Sequence, residues 1–147
     1  MRLITITEQT LDRPEVSRSP VLGELCRSTV AGYPSEGPVH PWVGYLAAVA
    51  SEFVGACAFK APADERGVEI AFQTYPDYEG RGYATAMVRC LVAIARDAQA
   101  TVVRAQTPPQ ASASTHILER LGFRRTGVAR DGEDGELWQW QLEWKQR

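Results

Sequence analysis

Hydrophobic and polar residues follow two rhythms along the chain. Apolar residues at every second position predict strands, whereas apolar residues at i, i+3 and i+4 predict helices. The strand rhythm marks Leu3–Thr7, Trp42–Val49, Phe53–Lys60, Val68–Thr74, Thr101–Ala105, Phe123–Ala129 and Leu137–Trp144. The helical rhythm marks Pro20–Val30, Tyr83–Ala98 and Ser112–Leu121. This order predicts an α+β fold, a mixed sheet with helices on its faces.

Two short segments between predicted strands help to show how the strands are arranged. Ala50–Glu52 has the length of a hairpin connection and predicts an antiparallel pair. A turn at Asp131–Gly135 precedes the last strand, on which four apolar residues share one face: Trp138, Trp140, Leu142 and Trp144. Such a face is typical of a core or a dimer surface, and a groove for an aromatic or peptide substrate is the alternative.

Length and composition narrow the class of protein. A chain of 147 residues has the size of one domain. Its hydrophobic fraction of 44% and charged fraction of 23% are ordinary for a folded protein. The net charge of −2 favours neither a nucleic acid nor an anionic membrane as partner. Without an apolar run long enough for a signal peptide or a span, a cytoplasmic protein is expected.

The potential metal ligands are few and widely spaced. Cys26, Cys57 and Cys90 form neither a disulfide framework nor a CxxC pair, and we expect them to have core roles. The two histidines, His40 and His116, have no ligands at metal-site spacing. We therefore expect no metal site.

The segment Glu79–Ala84 lies between a predicted strand and a predicted helix. Free amides at a helix start, together with the helix dipole, suit a phosphate or pyrophosphate. Gly80 and Gly82 would let an anion approach those amides, Arg81 adds a charged donor and Thr85 a hydroxyl. The glycine spacing matches neither a Walker loop nor a dinucleotide loop, and a glycine turn that binds nothing is the alternative.

Two blocks of the sequence resemble a known family. The string Tyr78–Thr85 resembles the Gln/Arg-x-x-Gly-x-Gly/Ala signature of the GNAT superfamily of acyl-CoA N-acyltransferases. About thirty residues later, Ser114–Phe123 is similar to the family's Ser-x-x-x-Leu-x-Lys/Arg-x-Gly-Phe helix and turn. The resemblance extends from about Val39 to the C-terminus. It implies a mostly antiparallel sheet of six to seven strands with helices on both faces.

The resemblance also implies a cofactor site within a single domain, 1–147. Residues 1–41 would form the acceptor side and residues 42–147 the acyl-CoA core, with acetyl-CoA as the acyl donor. The pantetheine arm would pair with the backbone of Phe72 and Thr74, and Ser114 would lie near the arm or its thiolate. The loop residues would hold the pyrophosphate: Glu79, Gly80, Arg81, Gly82, Tyr83, Ala84 and Thr85.

The family's reaction is direct attack of an amine on the thioester carbonyl. An amine is protonated near neutral pH and must lose a proton before it attacks. Glu69 matches a glutamate in the family's Glu-Ile-Gly/Ala-Phe/Tyr wording, so we expect it to be the base, acting through water. The alternative is an exposed strand residue that pairs with an arginine.

The chain departs from the family pattern at three positions. Glu79 replaces a Gln or Arg, Ala111 stands where Asn is frequent, and Leu118 replaces a Tyr that protonates the leaving thiolate. The general acid is therefore open among three side chains, water and unaided departure. The three side chains are Tyr75, Tyr83 and His116.

The sequence thus predicts an N-acetyltransferase that modifies a primary amine on a small molecule or a peptide. Leu11–Pro41 would choose the acceptor, and its acidic residues slightly favour a cationic one: Asp12, Glu15, Glu24 and Glu36. A homodimer through the edge of the C-terminal strand is a further expectation. The rival hypotheses are a non-catalytic acyl-CoA-binding or sensing domain and a purely structural domain.

Overall fold

One seven-stranded sheet organises the chain. The computed structural model describes residues 1–131 and 135–144. The strands are β1 Arg2–Thr5, β2 Gly44–Val49, β3 Glu52–Phe59, β4 Val68–Thr74, β5 Val102–Thr107, β6 Arg124–Asp131 and β7 Gly135–Glu143. Their spatial order is β1-β2-β3-β4-β5-β7-β6. Every neighbouring pair is antiparallel except β4 and β5, which confirms the mixed, mostly antiparallel sheet.

The α-helices of the described residues follow the predicted positions with one addition. They are α1 Pro14–Ser17, α2 Pro20–Ala31, α3 Tyr83–Asp97 and α4 Ala113–Arg120. Short 3-10 helices span Glu8–Asp12 and Pro76–Tyr78. None of these helices is long and apolar enough to cross a membrane.

The first 3-10 helix and α1 were not predicted, because their sequence is short and polar. Local side-chain bonds stabilise the first of them: Thr10 Oγ1 accepts from the Thr7 N–H at 2.9 Å and donates to the Thr5 carbonyl at 3.1 Å. Pro14 then opens α1 at a position where its missing N–H costs nothing. These turns carry the chain from β1 to α2.

Helices cover both faces of the sheet, as predicted. On one face, Val16 of α1 and Cys26 of α2 pack with Leu46 of β2. On the other face, Leu91 of α3 and Leu118 of α4 pack with the larger part of the sheet. Alternate residues along β2 therefore belong to two separate cores: Tyr45 and Ala47 to the larger one and Leu46 to the smaller one.

The C-terminal strand is not at an edge of the sheet. β7 lies between β5 and β6, because it pairs with both. The predicted dimer contact through the edge of this strand is therefore wrong, and the free edge on this side belongs to β6. The predicted turn before β7 falls largely on residues 132–134, outside the described residues.

The aromatic face of β7 belongs to the core. Trp140 is buried, and Trp138, Leu142 and Trp144 pack against the larger core cluster. The indole N–H of Trp140 donates to Thr107 Oγ1 at 2.9 Å. Two cysteines, Cys26 and Cys57, are buried as expected, and Cys90 is half-buried.

Candidate active site

The parallel strands β4 and β5 separate halfway along β4. Their register comprises three pairs and ends at Ile70 and Ala105. β4 continues to Thr74, and over this second half it pairs with β3 on its other side. The sheet therefore opens into a gap between β4 and β5.

The open half of β4 presents unpaired backbone to this gap. The Lys60 N–H donates to the Glu69 carbonyl at 2.9 Å, which places the backbone groups of odd-numbered β4 residues toward β3. The backbone N–H and C=O groups of Phe72 and Thr74 consequently face the gap. Thr74 Oγ1 is buried and has no hydrogen-bond partner among the described residues. An extended ligand with polar groups would satisfy this edge.

Beyond the open half of β4, a 3-10 helix and the glycine loop lead to the N-terminus of α3. Gly80 and Gly82 have φ values of 77° and 84°, a conformation that favours glycine, and Gly82 is the N-cap residue. Gly82 has no side-chain oxygen to satisfy the first amides of the helix. A Cβ added at either glycine would meet no atom within 4 Å, so open space surrounds the loop. These amides can bind an anion there.

The side chains of the loop leave that space free. Glu79 and Arg81 are exposed, and the guanidinium of Arg81 lies 5.7 Å from the ring centroid of Tyr78. The next three predicted cofactor-binding residues are half-buried in the first turn of α3: Tyr83, Ala84 and Thr85. A ligand in this space would therefore contact mainly the backbone amides of the loop and only secondarily its side chains.

Glu69 lies one residue before the point where the strands separate, and two cations flank it. Its Oε2 is 2.7 Å from Lys60 Nζ, in an ion pair without the alignment of a hydrogen bond. Its Oε1 is 3.8 Å from the guanidinium of Arg104, its partner in the β4–β5 register. The side chain is 17% exposed. The arginine of the alternative interpretation is thus present, although Glu69 is not exposed as that interpretation expected, and the lysine was not predicted.

The helix α4 was expected to lie beside the cofactor. Its predicted contact residue, Ser114, is half-buried in the first turn. Leu118, which stands in place of the family's tyrosine, is fully buried and packs in the core. Ala111 is exposed just before the helix. The second family block, Ser114–Phe123, therefore contributes to the core as well as supplying a candidate cofactor contact.

The three candidate acids have different environments. The Tyr75 hydroxyl is buried without a hydrogen-bond partner among the described residues. Burial raises the pKa of Tyr75 to about 12, and the nearby Cys26 thiol adds to this rise. Tyr83 is half-buried at the start of α3, and His116 is exposed. The high pKa of Tyr75 makes its phenol a weak proton donor.

Two cavities flank the chain segment between α2 and β2. One has a volume of about 630 Å³ and is lined by Thr7, Glu8, Gln9, Val30, Tyr33, Pro34, Ser35, Gly37 and Pro38. The other, of about 380 Å³, is lined by Ser28, Thr29, Gly32, Tyr33, Pro34, Trp42, Gly44, Ala58, Phe59, Lys60, Ala61 and Pro62. Tyr33 separates them, donating to the Ile6 carbonyl at 2.8 Å and accepting from the Gly44 N–H at 2.9 Å.

None of the acidic residues expected to attract a cationic acceptor lines either of these cavities. All four are exposed: Asp12, Glu15, Glu24 and Glu36. Glu24 is paired with Arg27 at 3.3 Å. Across the described ranges, no three potential ligands meet at a possible metal site.

The chain matches a known family over most of its length. The model of the acetyltransferase (GNAT) domain matches residues 13–124. The chain therefore belongs to the GNAT acetyltransferase family and is an acyl-CoA-dependent acetyltransferase. No curated protein sequence matches it significantly.

Solved structures share the fold at low sequence identity. A GNAT family acetyltransferase from Elizabethkingia anophelis with acetyl-CoA bound is 14% identical, with a TM-score of 0.71 over 97% of each chain. A spermidine N-acetyltransferase chimera of Vibrio cholerae SpeG and hSSAT is 12% identical, with a TM-score of 0.70 over 97% of this chain and 96% of that one. IAA acetyltransferase from Bacillus cereus is 12% identical, with a TM-score of 0.68 over 97% of each chain.

Proposed function

We propose that this enzyme transfers the acetyl group of acetyl-CoA to a primary amine by direct attack. The observation that carries the proposal is the continuity of three features: the gap between β4 and β5, the open N-terminus of α3 and the carboxylate of Glu69 where the gap begins. Together they would supply an anion site and a potential base along one strand and the loop that follows it.

The residues present fit acetyl-CoA. The amides from Gly80 to Thr85 would hold its pyrophosphate, and the free edge at Phe72 and Thr74 would pair with its pantetheine arm. The orphaned hydroxyl of Thr74 supports a polar ligand at this edge. The acetyl-CoA-bound structure from Elizabethkingia anophelis supports the same cofactor. The exposed carboxylate of Glu79 would point away from the pyrophosphate.

Glu69 would take the proton of the acceptor amine, directly or through a water molecule. The amine nitrogen then attacks the acetyl carbonyl carbon, the amide bond forms, and the C–S bond breaks to release CoA. The low exposure of Glu69 and its position beside the gap support this role. Because Leu118 is in the core, that position of α4 supplies no acid for the departing thiolate.

Residues 1–41 would form the acceptor side and residues 42–147 the cofactor side. The smaller cavity supports this division, because it lies between α2 and β3 and reaches Lys60, the partner of Glu69. Its volume of about 380 Å³ is within the range of small-molecule sites. Trp42 and Phe59 give it an aromatic wall, which suits an amine carried on an apolar or flat body.

An amine screen tests the proposal. Purified enzyme is assayed for CoA release from acetyl-CoA with polyamines, amino acids and short peptides. Spermidine is included because the Vibrio cholerae chimera is a spermidine N-acetyltransferase. We expect at least one amine to be acetylated, and Glu69→Gln to lower kcat about 100- to 1000-fold without loss of acetyl-CoA affinity.

The matched control is Glu119→Gln, which removes an exposed carboxylate on α4 and should leave kcat within twofold, by the small effect expected of surface substitutions. Acetyl-CoA binding without turnover of any amine would favour the sensing domain over the proposed reaction. An unchanged kcat in Glu69→Gln would remove Glu69 from the mechanism.

A further inference from the structure

An amine of the chain itself lies against the proposed base. Lys60 Nζ is 2.7 Å from Glu69 Oε2. The proposed function, on which this inference rests, requires Glu69 to deprotonate an amine. A base must lie within about 2.6–3.2 Å of the group that it deprotonates, or act through one water. Lys60 therefore already occupies a position that an acceptor amine would need.

Lys60 also lines two cavities, one beside α2 and one at the end of β5. Lys60 directly follows β3 and is half-exposed. It lines the cavity of about 380 Å³ together with Trp42 and Phe59. It also lines a cavity of about 480 Å³ together with Thr107, at the end of β5. Lys60 thus lies between the proposed acceptor side and the end of β5.

Lysine is rare in this chain, which makes its presence beside Glu69 informative. The sequence has two lysines, Lys60 and Lys145, and fourteen arginines. An arginine would pair with a carboxylate at least as well, and through two hydrogen bonds. A guanidinium, however, does not lose its proton in proteins, whereas a lysine amine can become a nucleophile. The residue at this position is therefore one that can accept an acetyl group.

We propose that Lys60 is an acetylation site of the enzyme, modified within its own active site. Glu69 takes one proton from the ammonium group, and the neutral nitrogen attacks the acetyl carbonyl carbon of bound acetyl-CoA. The N–C bond forms and the C–S bond breaks. The remaining excess proton leaves the nitrogen as the amide forms, and the CoA sulfur takes up one proton, so that CoA departs as the thiol. The products are acetyl-lysine, CoA and one released proton.

Acetylation would change the surroundings of Glu69. An acetylated lysine carries no charge, so the ion pair at 2.7 Å is lost. Arg104, at 3.8 Å, remains as the neighbouring cation. One face of the carboxylate then becomes available to a free amine. The modified enzyme should therefore acetylate an added amine faster than the unmodified enzyme.

Mass spectrometry of the whole chain tests the inference. The enzyme is incubated with acetyl-CoA without an added amine, and the modified residue is located by peptide mapping. We expect one acetyl group on Lys60, added at a rate that does not change over a tenfold range of protein concentration. Lys145→Arg should retain the modification and Lys60→Arg should lose it. Glu69→Gln should slow it about 100-fold.

Three results would overturn the inference: no acetyl group on Lys60, equal rates at Lys60 and Lys145, or equal rates at Lys60 before and after heat denaturation. Thermal unfolding of each variant shows that it is folded. Calorimetry with acetyl-CoA and the amine screen are run on the same preparation. A protein that acetylates an added amine but leaves Lys60 unmodified refutes this inference alone. One that does not bind acetyl-CoA refutes the proposed function as well.

Discussion

The helices α3 and α4 begin in opposite ways. At α4, Ser112 Oγ accepts from the Thr115 N–H at 3.3 Å, and Thr115 Oγ1 accepts from the Ser112 N–H at 2.9 Å. Side chains of the helix itself thus satisfy the amides of Ser112 and Thr115 at the start of α4. At α3, the N-cap is Gly82, which has no side chain to accept a hydrogen bond.

This difference shows which helix start is available to a ligand. A side chain at the N-cap of α4 takes the place that an anion would need, whereas two glycines with positive φ leave that place open at α3. An uncapped first turn costs stability unless water or a ligand satisfies its amides. We infer that α3 gives up local stability for cofactor binding and that α4 does not.

The largest effect should come from a Cβ at the N-cap of α3. Gly82→Ala places a methyl group in the open space of the loop and strains a residue with a φ of 84°. We expect acetyl-CoA affinity to fall about 100-fold, or about 2.7 kcal/mol. Calorimetric titration measures this change.

Gly122→Ala is the matched control for that substitution. Gly122 follows α4 and has a φ of 95°, so alanine is strained there to a similar degree. Both variants should lower the free energy of unfolding by about 1 kcal/mol, and acetyl-CoA affinity should fall in the Gly82 variant alone. Equal losses of affinity would mean that strain, and not access to the amides, governs binding.

Removing the cap of α4 should lower the stability of the fold and leave acetyl-CoA affinity unchanged. Ser112→Ala leaves the Thr115 amide without its acceptor, so the free energy of unfolding should fall by about 1 kcal/mol. Acetyl-CoA affinity should change less than twofold. Denaturant unfolding and calorimetry separate the two quantities, with Ser112→Thr as the variant that keeps a hydroxyl. A tenfold loss of affinity at unchanged stability would place Ser112 in the cofactor site.

A smaller effect is expected from the exposed arginine of the loop. Arg81→Ala removes a cation near the anion site, and affinity should fall about two- to fivefold, as for other exposed charges. The loss should shrink at high salt because exposed charges are screened. Arg89→Ala, an exposed arginine further along α3, should leave affinity unchanged. Salt-independent loss in the Arg81 variant would point to a packing role instead.

The smallest effect is expected at the first loop position, where Glu79 replaces the family's Gln or Arg. Glu79 is exposed, so its carboxylate should repel the pyrophosphate weakly. Glu79→Gln should tighten acetyl-CoA binding by about twofold or less. Titration at low ionic strength makes the change measurable. A tenfold gain would show that the carboxylate faces the pyrophosphate, contrary to its exposure in the structure.

Strong local patterns made most of the fold predictable. β4 spans the predicted Val68–Thr74, and α3 and α4 lie within a few residues of their predicted bounds. Regular alternation and a glycine-rich break are encoded in adjacent residues, so they can be read from one segment alone. The short helices after β1 could not be read in this way, because they depend on Thr10 bonding back to Thr5 and Thr7.

The candidate site was predictable only in part. Its loop and Glu69 follow from local motifs, and these cofactor and base assignments are still predictions. The partners of Glu69 depend on register between strands: Lys60 reaches it from just after the end of β3, and Arg104 from β5. Neither residue has a distinctive sequence context. The order of β7 and β6 likewise depends on long-range pairing, which periodicity does not encode.

Calorimetric titration of the purified chain with acetyl-CoA, beside Gly82→Trp, tests the central claim most directly. We predict micromolar affinity for the unmodified sequence, about −8 kcal/mol, and no measurable binding for the variant, whose indole fills the open side of the loop. Equal affinity in both proteins would move the cofactor away from the start of α3. An absence of binding in both would contradict the account of this chain as an acetyl-CoA-dependent enzyme.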